Sequence, residues 1–234
     1  MAASTLMDTI TTIMTDDKQS LLRLMTWLSP AFPVGGFAYS GGLETAVREG
    51  HVTDAAALAQ WLESAIDHGQ LHNDAVLLAE AWNAEGDAAR LSDAAELARA
   101  MAGSAERYLE LTAQGDAFIE AAAPWSRITV ATFDREIPYA VAVGAVAALN
   151  GIGLQETLTA WLHASSSQSI SAAIRLGVLG QRQAMALLAD LEPIILQAAR
   201  RAATSTIDDL GSATVMADIM SARHENLHSR LFRT

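Results

Sequence analysis

Two pairs of histidines have the residue type and spacing for metal chemistry, since side chains four residues apart lie on one face of a helix. His224 and His228 enclose Glu225 in the H-E-x-x-H pattern, in which two imidazoles bind zinc and the glutamate acts as a base. Only six residues follow His228, so there is no space for a third ligand further along the chain. A zinc hydrolase at residues 224–228 is therefore an alternative hypothesis, and a coincidental match is favoured.

The second histidine pair is His68 and His72. Gly69 lies between them and would weaken a continuous helix at that point. Two polar histidines on a helix surface explain the spacing more simply than a metal site, and a metal role for this pair is kept as an alternative.

Nucleophilic and phosphate chemistry find little support in the sequence. His163 precedes a run of serines at 165, 166, 167 and 169, but no G-x-S-x-G elbow surrounds them. Cysteine is absent, and the one lysine, Lys18, lies outside any phosphate-binding loop. We therefore expect no catalytic residues, no bound cofactor and no hydrolysis of nucleotides by this chain alone.

A loop from Pro30 to Gly42 is the first candidate binding surface. It holds two prolines, four glycines and three aromatic residues, a mixture that interrupts regular structure while presenting large side chains. Leu43 and Glu44 follow it directly. A structural turn with buried aromatics and a binding surface on a rigid scaffold are both consistent with this composition.

The tail from Arg223 to Thr234 is the second candidate surface. Three arginines concentrate positive charge there, and Leu231 and Phe232 place apolar side chains beside them. A guanidinium offers a planar set of donors and a phenyl ring an apolar anchor, so the tail has the chemistry to dock on a partner.

The elements that must position these segments are predicted to be helices throughout. Apolar residues recur at helical spacing from Leu21 onward, and no strand-like alternation persists. The apolar run from Ile137 to Leu149 predicts a central helix, with Pro138 in its first turn. Thr53 is predicted to cap a helix, and 181–204 to form one helix with a kink near Pro193. We expect an all-α protein, a single globular bundle of about eight to ten helices.

Charge and hydropathy limit the possible partners and locations. The net charge of −12 would repel nucleic acid, and no apolar run reaches the ~20 residues that span a membrane. Residues 1–17 lack the features of a secretory signal and are predicted to be a disordered tail. We therefore expect a soluble, cytoplasmic protein with one domain over 18–234, whose last part, about 221–234, is a docking segment.

The loop and the tail together resemble the UreF family of urease accessory proteins. The stretch from Leu28 to Glu44 resembles that family's N-terminal signature, and the stretch from Arg223 to Thr234 resembles its C-terminal ending. Asp208 to Ser212 is similar as well. Many relatives have Ser and His where this chain has Ala38 and Gly41, which sets aside any role for a hydroxyl or an imidazole at those two positions.

The resemblance implies an all-α homodimer that is not itself an enzyme. Such a protein joins UreD (also called UreH) and the GTPase UreG, modulates GTP hydrolysis, and helps to insert nickel into apo-urease as cargo of the complex. A nickel-binding chaperone using His68 and His72 is the alternative within this context. The family's partner-contact role carries over to Pro33, Gly35, Gly36, Phe37, Tyr39, Ser40, Gly42, Leu43, Glu44, Arg223, His224, Glu225, Arg230, Leu231, Phe232 and Arg233.

Overall fold

A computed structural model describes residues 17–126 and 136–234, so nearly all of the predicted tail over 1–17 lies outside the described residues. The described parts contain helices and no strand, which confirms the all-α prediction. Short 3-10 helices cover Gly36–Ala38 and Ile207–Asp209. The α-helices are α1 (17–27), α2 (Leu43–Arg48), α3 (Ala55–His68), α4 (Gln70–Asn83), α5 (Ala88–Ala100), α6 (Ala105–Ala122), α7 (Tyr139–Leu149), α8 (Leu154–Arg175), α9 (Gln181–Asp190), α10 (Glu192–Ala202) and α11 (Val215–His224).

Helix α7 lies at the centre of the core, as its apolar sequence predicts. Nine of its eleven residues are buried, and it packs between α4 and α6. Glycines allow the close approach on both sides, because a Cβ on Gly144 would collide with the carbonyl oxygen of Leu78, and one on Gly115 with that of Ile137. Pro138 is the N-cap of α7 and does not lie in its first turn.

Side-chain caps fix several helix starts. Asp54, and not the predicted Thr53, caps α3, because its carboxylate accepts a hydrogen bond from the amide of Ala57 at 2.9 Å. Ser104 caps α6 in the same way through the amide of Arg107.

The prediction of one kinked helix over 181–204 is wrong, since the segment forms two helices, α9 and α10. Leu191 is both the C-cap of α9 and the N-cap of α10. Pro193 lies in the first turn of α10, where a missing amide hydrogen costs no helical hydrogen bond.

An aromatic cluster anchors the chain where α1 leads into the loop. The ring of Phe118 on α6 lies 6.2 Å from that of Trp27, 5.6 Å from that of Phe32 and 5.7 Å from that of Tyr139. The pairs that Phe118 forms with Trp27 and Tyr139 are edge-to-face, and such pairs add stability beyond their buried area. The cluster fixes the position from which the loop begins.

Candidate partner-binding site

The loop and the tail, predicted as separate surfaces, lie against each other. We call residues 30–44 the signature loop and residues 225–234 the strap. The amide of Arg233 donates to the carbonyl of Ala38 at 2.7 Å, and the amide of Ser40 donates to the carbonyl of Thr234 at 3.0 Å. The hydroxyl of Ser40 also donates to that same carbonyl. Signature loop and strap therefore form one structural unit.

Glu44 is the buried centre of this unit. Its side chain has no exposed surface, and its carboxylate accepts hydrogen bonds from the amides of Leu231 at 2.9 Å and Phe232 at 3.0 Å. Arg48, one helical turn away, donates to the same carboxylate at 2.8 Å. Burial raises the pKa of Glu44, but these donors together with His224 outweigh it and lower the pKa below the ordinary 4.5. A charged Glu44 thus fastens the strap to α2.

His224 lies between two carboxylates. Its side chain is fully buried, with Nδ1 2.7 Å from Oε2 of Glu106 and Nε2 3.2 Å from Oε2 of Glu44. A protonated imidazole donates to both carboxylates, whereas a neutral one can donate only to one. Arg230 of the strap pairs with the other oxygen of Glu106. The imidazole joins α2, α6 and α11 beneath the strap.

The geometry does not support the zinc hydrolase hypothesis. Helix α11 ends at His224, so His228 does not follow it one turn later on the same helix. Glu225 accepts a hydrogen bond from the amide of Ala105 at 3.0 Å, at the start of α6. Within residues 17–126 and 136–234, no group of three or more His, Cys, Asp or Glu residues is placed to hold a metal ion.

The second histidine pair is also split between two helices. His68 ends α3, Gly69 is extended with φ −126° and ψ −150°, and His72 belongs to α4. Nε2 of His72 lies 3.1 Å from the carbonyl oxygen of Asp209. The spacing therefore does not place the two imidazoles on one helix face.

A buried charged network lies beneath the unit. Arg107 pairs with Asp74 and lies 3.3 Å from Glu110, so two carboxylates share one guanidinium. Burial raises the pKa of both carboxyls, and Arg107 only partly offsets it. The hydroxyl of Thr234 lies 3.4 Å from Glu110, which connects this network to the strap.

The predicted partner-contact residues divide into those that build the unit and those that face solvent. The role of these residues in partner contact stays a prediction for both groups. Only the residues that face solvent are accessible to a partner while the strap is in place. The buried residues are Gly36, Tyr39, Ser40, Gly42, Leu43, Glu44, His224 and Phe232. The exposed residues are Pro33, Gly35, Phe37, Arg223, Glu225, Arg230, Leu231 and Arg233.

Two residues of α8 support the unit without having been predicted from the sequence. The guanidinium of Arg175 lies over the ring of Phe232, 4.2 Å from its centroid, and donates to the carbonyl of Phe37 at 2.7 Å. Gln168 donates to the carbonyl of Gly36 at 2.8 Å. More than 130 residues separate Gln168 from Gly36 and Arg175 from Phe37 in sequence, so no local pattern reveals these hydrogen bonds.

Comparisons with known proteins agree with these sequence features. The UreF family model matches residues 52–192. A urease accessory protein UreF from Agrobacterium fabrum is 58% identical over 215 residues, which are 92% of this chain and 96% of that protein. Proteins of the same name from Rhizobium etli and Mesorhizobium japonicum are 55% and 52% identical, over 94% of this chain and the whole of each relative.

None of the described helices has the length and hydropathy to cross a membrane. The family match covers more than half of the chain, and the relatives align along almost all of it. The chain belongs to the UreF family.

Proposed function

We propose that this chain is a urease accessory protein that works as a homodimeric adaptor. It binds UreD (or UreH) and the GTPase UreG, and in that complex it modulates the GTP hydrolysis that drives nickel into apo-urease. The proposal is supported above all by family membership, because the similar proteins are named urease accessory protein UreF. Nickel is the cargo of the complex and not a resident cofactor of this chain.

The strap offers the chemistry of a docking surface. Leu231 is 58% exposed although its amide is tied to Glu44. Arg233 is also exposed, and no carboxylate among the described residues pairs with it. An exposed leucine beside a free guanidinium suits a partner with an apolar pocket bordered by acidic groups.

The buried residues give this surface a fixed shape. Glu44 holds the strap by accepting a hydrogen bond from the amide of Phe232, His224 contacts Glu44 from α11, and Arg175 packs over Phe232. A partner that binds such a preformed surface loses less conformational entropy than one that must order the segment first. We therefore assign partner binding to the assembled unit and not to either segment alone.

Co-purification tests the adaptor role directly. Tagged wild-type chain is expressed with UreD (or UreH) and UreG, beside Leu231→Asp, Arg233→Glu and the control Met185→Asp. Met185 is 55% exposed on α9 and belongs to neither segment. We expect the two strap variants to lose at least about tenfold in recovered partner, a loss of ~1.4 kcal/mol or more in binding free energy. Equal recovery for all four proteins would contradict the assignment.

A further inference from the structure

Three consecutive side chains at the C-terminal end of α11 tie this helix to its neighbours. Arg223 pairs with Glu49 at 2.9 Å, directly after α2, and Glu225 accepts a hydrogen bond from the amide of Ala105 at 3.0 Å, at the start of α6. Arg223 and Glu225 are exposed, and surface pairs of this kind contribute little to stability. His224 is fully buried between them. It is therefore the member of the triplet whose contacts matter most.

Each carboxylate beside His224 receives a different part of the strap. Glu44, 3.2 Å from Nε2 of the imidazole, accepts hydrogen bonds from the amides of residues 231–232. Glu106, 2.7 Å from Nδ1, pairs through its other oxygen with the guanidinium of Arg230. The imidazole thus lies between the two anchors of three successive strap residues.

The hydrogen bonds around His224 require a donor on each side of its ring. An ionised carboxylate only accepts hydrogen bonds, so Nδ1 donates to Glu106 while Nε2 donates to Glu44. His224 also ends α11, where the terminal carbonyl groups of a helix favour positive charge. Over residues 17–126 and 136–234, it is the only side chain that bonds to both carboxylates.

Without this imidazole, the two carboxylates would face each other across a buried gap. Glu44 has no exposed surface and the side chain of Glu106 is only 13% exposed, so water would screen their repulsion weakly. Arg48 and Arg230 each bind the other oxygen of their carboxylate, on the side away from the imidazole. The carboxylates would move apart, and the strap residues that they hold would move with them.

We propose that His224 is the positioning residue of the strap. By donating to Glu44 and Glu106 at once, it sets the distance between the two carboxylates and thereby the placement of the exposed side chains of Arg230 and Leu231. The proposal rests on the adaptor function proposed above. It gives His224 a buried positioning role in place of the direct partner contact expected from the sequence.

Chemical rescue tests this bridge directly. His224→Gly removes the imidazole and leaves a space for a small ring, and His228→Gly, at an exposed histidine of the strap, is the control. Hydrogen exchange of the amides of residues 231–232 and retention of UreD (or UreH) and UreG are measured with and without added imidazole or pyrazole. Pyrazole has the size of imidazole, but its two nitrogens are adjacent and cannot donate in opposite directions.

We expect His224→Gly to accelerate exchange of both amides and to lower partner retention by at least about tenfold, the effect of losing one charged hydrogen bond. Imidazole should restore most of both losses, pyrazole should restore neither, and His228→Gly should behave as wild type. Equal rescue by the two rings would overturn the proposal, because either ring can replace a residue that only fills space.

His224→Gln keeps the test decisive if circular dichroism shows that the glycine variant does not fold. Glutamine fills much of the same space, but both of its amide hydrogens are on one nitrogen, so it cannot donate to the two carboxylates from opposite sides. We expect a folded chain whose strap amides exchange at least about fivefold faster and which retains less partner. Exchange and retention equal to those of wild type would refute the positioning role.

Comparison with Leu231→Asp separates this inference from the proposed function. If His224 acts through the strap, adding His224→Gln to Leu231→Asp should lower partner retention no further, because the strap contact is already lost. A further loss as large as that in the wild-type background would contradict the inference. If wild type retains neither UreD (or UreH) nor UreG, the adaptor proposal fails, whereas exchange of the strap amides still tests the bridge.

Discussion

Glu44 illustrates how one buried carboxylate can determine the position of a whole segment. It accepts hydrogen bonds from two strap amides, from Arg48 and from His224. Hydrogen bonds to a charged group contribute about 1.5 to 3 kcal/mol each, more than bonds between neutral groups. The strap's attachment should therefore depend on the charge of this side chain.

Glu44→Gln keeps the size of the side chain and removes its charge. We expect the free energy of detaching the strap from α2 to fall by about 2 to 4 kcal/mol, because Arg48 and His224 would lose the charged carboxylate that they share. Hydrogen exchange of the Leu231 and Phe232 amides measures this directly. Glu49→Gln is the control, since Glu49 forms a surface pair with the 59% exposed Arg223 and should change exchange by less than about 1 kcal/mol. Equal effects of the two variants would contradict the role of Glu44.

The lowered pKa of Glu44 gives the strap a defined response to acid. A carboxylate whose pKa is lower in the folded state stabilises that state above the ordinary value of 4.5, and the contribution is lost as pH falls through the lower, folded value. The protection of the strap amides, which is the factor by which their exchange is slower than that of an unstructured chain at the same pH, should therefore stay high at pH 5 and fall only below pH 4.5. A transition centred above pH 4.5 in the wild type would contradict this assignment.

Glu110 is expected to behave in the opposite way. Burial raises its pKa, so ionisation favours the unfolded chain as pH rises above the ordinary 4.5. Glu110→Gln should leave the free energy of unfolding at pH 8 unchanged or raise it by about 1 kcal/mol. Arg107→Met, which leaves two buried carboxylates without their cation, should lower it by about 3 to 5 kcal/mol. Urea unfolding at pH 8 compares the two variants, and a larger loss in Glu110→Gln than in Arg107→Met would refute this account of the network.

At the scale of elements, the junction between the signature loop and α11 depends on one glycine. Gly42 has φ +81°, in the left-handed region, and a Cβ there would lie 2.7 Å from the backbone nitrogen of Ser221. Neighbouring Gly41 has φ +60° but faces open space. Both glycines have a left-handed backbone, which is strained for any other residue. Only at Gly42 would an added Cβ also collide with a neighbouring atom.

Alanine at each position separates these effects. Gly41→Ala should lower the free energy of unfolding by about 1 to 2 kcal/mol, which is the penalty for a residue with a Cβ in the left-handed region. Gly42→Ala should lower the free energy of unfolding by at least ~2 kcal/mol more than Gly41→Ala, because α2 and α11 must move apart to make room for the Cβ. Thermal and urea unfolding measure both, and equal losses would show that the contact with α11 does not matter.

The helices were largely predictable from the sequence, and the contacts between distant segments were not. Apolar spacing and prolines predicted α1 and α7 because those signals lie within each segment. Nothing local indicated that Glu106 would face His224, or that Thr234 would lie beside Ser40, since 118 and 194 residues separate these pairs. The break at Leu191 was missed because Pro193 is compatible both with a kink and with a new helix.

At the scale of the whole molecule, we propose that the strap, held in place by the signature loop and α8, is the partner-binding surface of the chain. Phe37 of the signature loop and Leu231 of the strap both have exposed apolar side chains. Variants at Leu231 can therefore be used to test partner binding without changing the buried residues that hold the strap.

Activation of apo-urease in a reconstituted system with UreD (or UreH), UreG, GTP and nickel tests the central claim most directly. We expect urease activity to depend on this chain, to be restored by wild type and by Met185→Asp, and to fall at least about tenfold with Leu231→Asp. The same urease activity without the chain, or with Leu231→Asp in its place, would contradict the account.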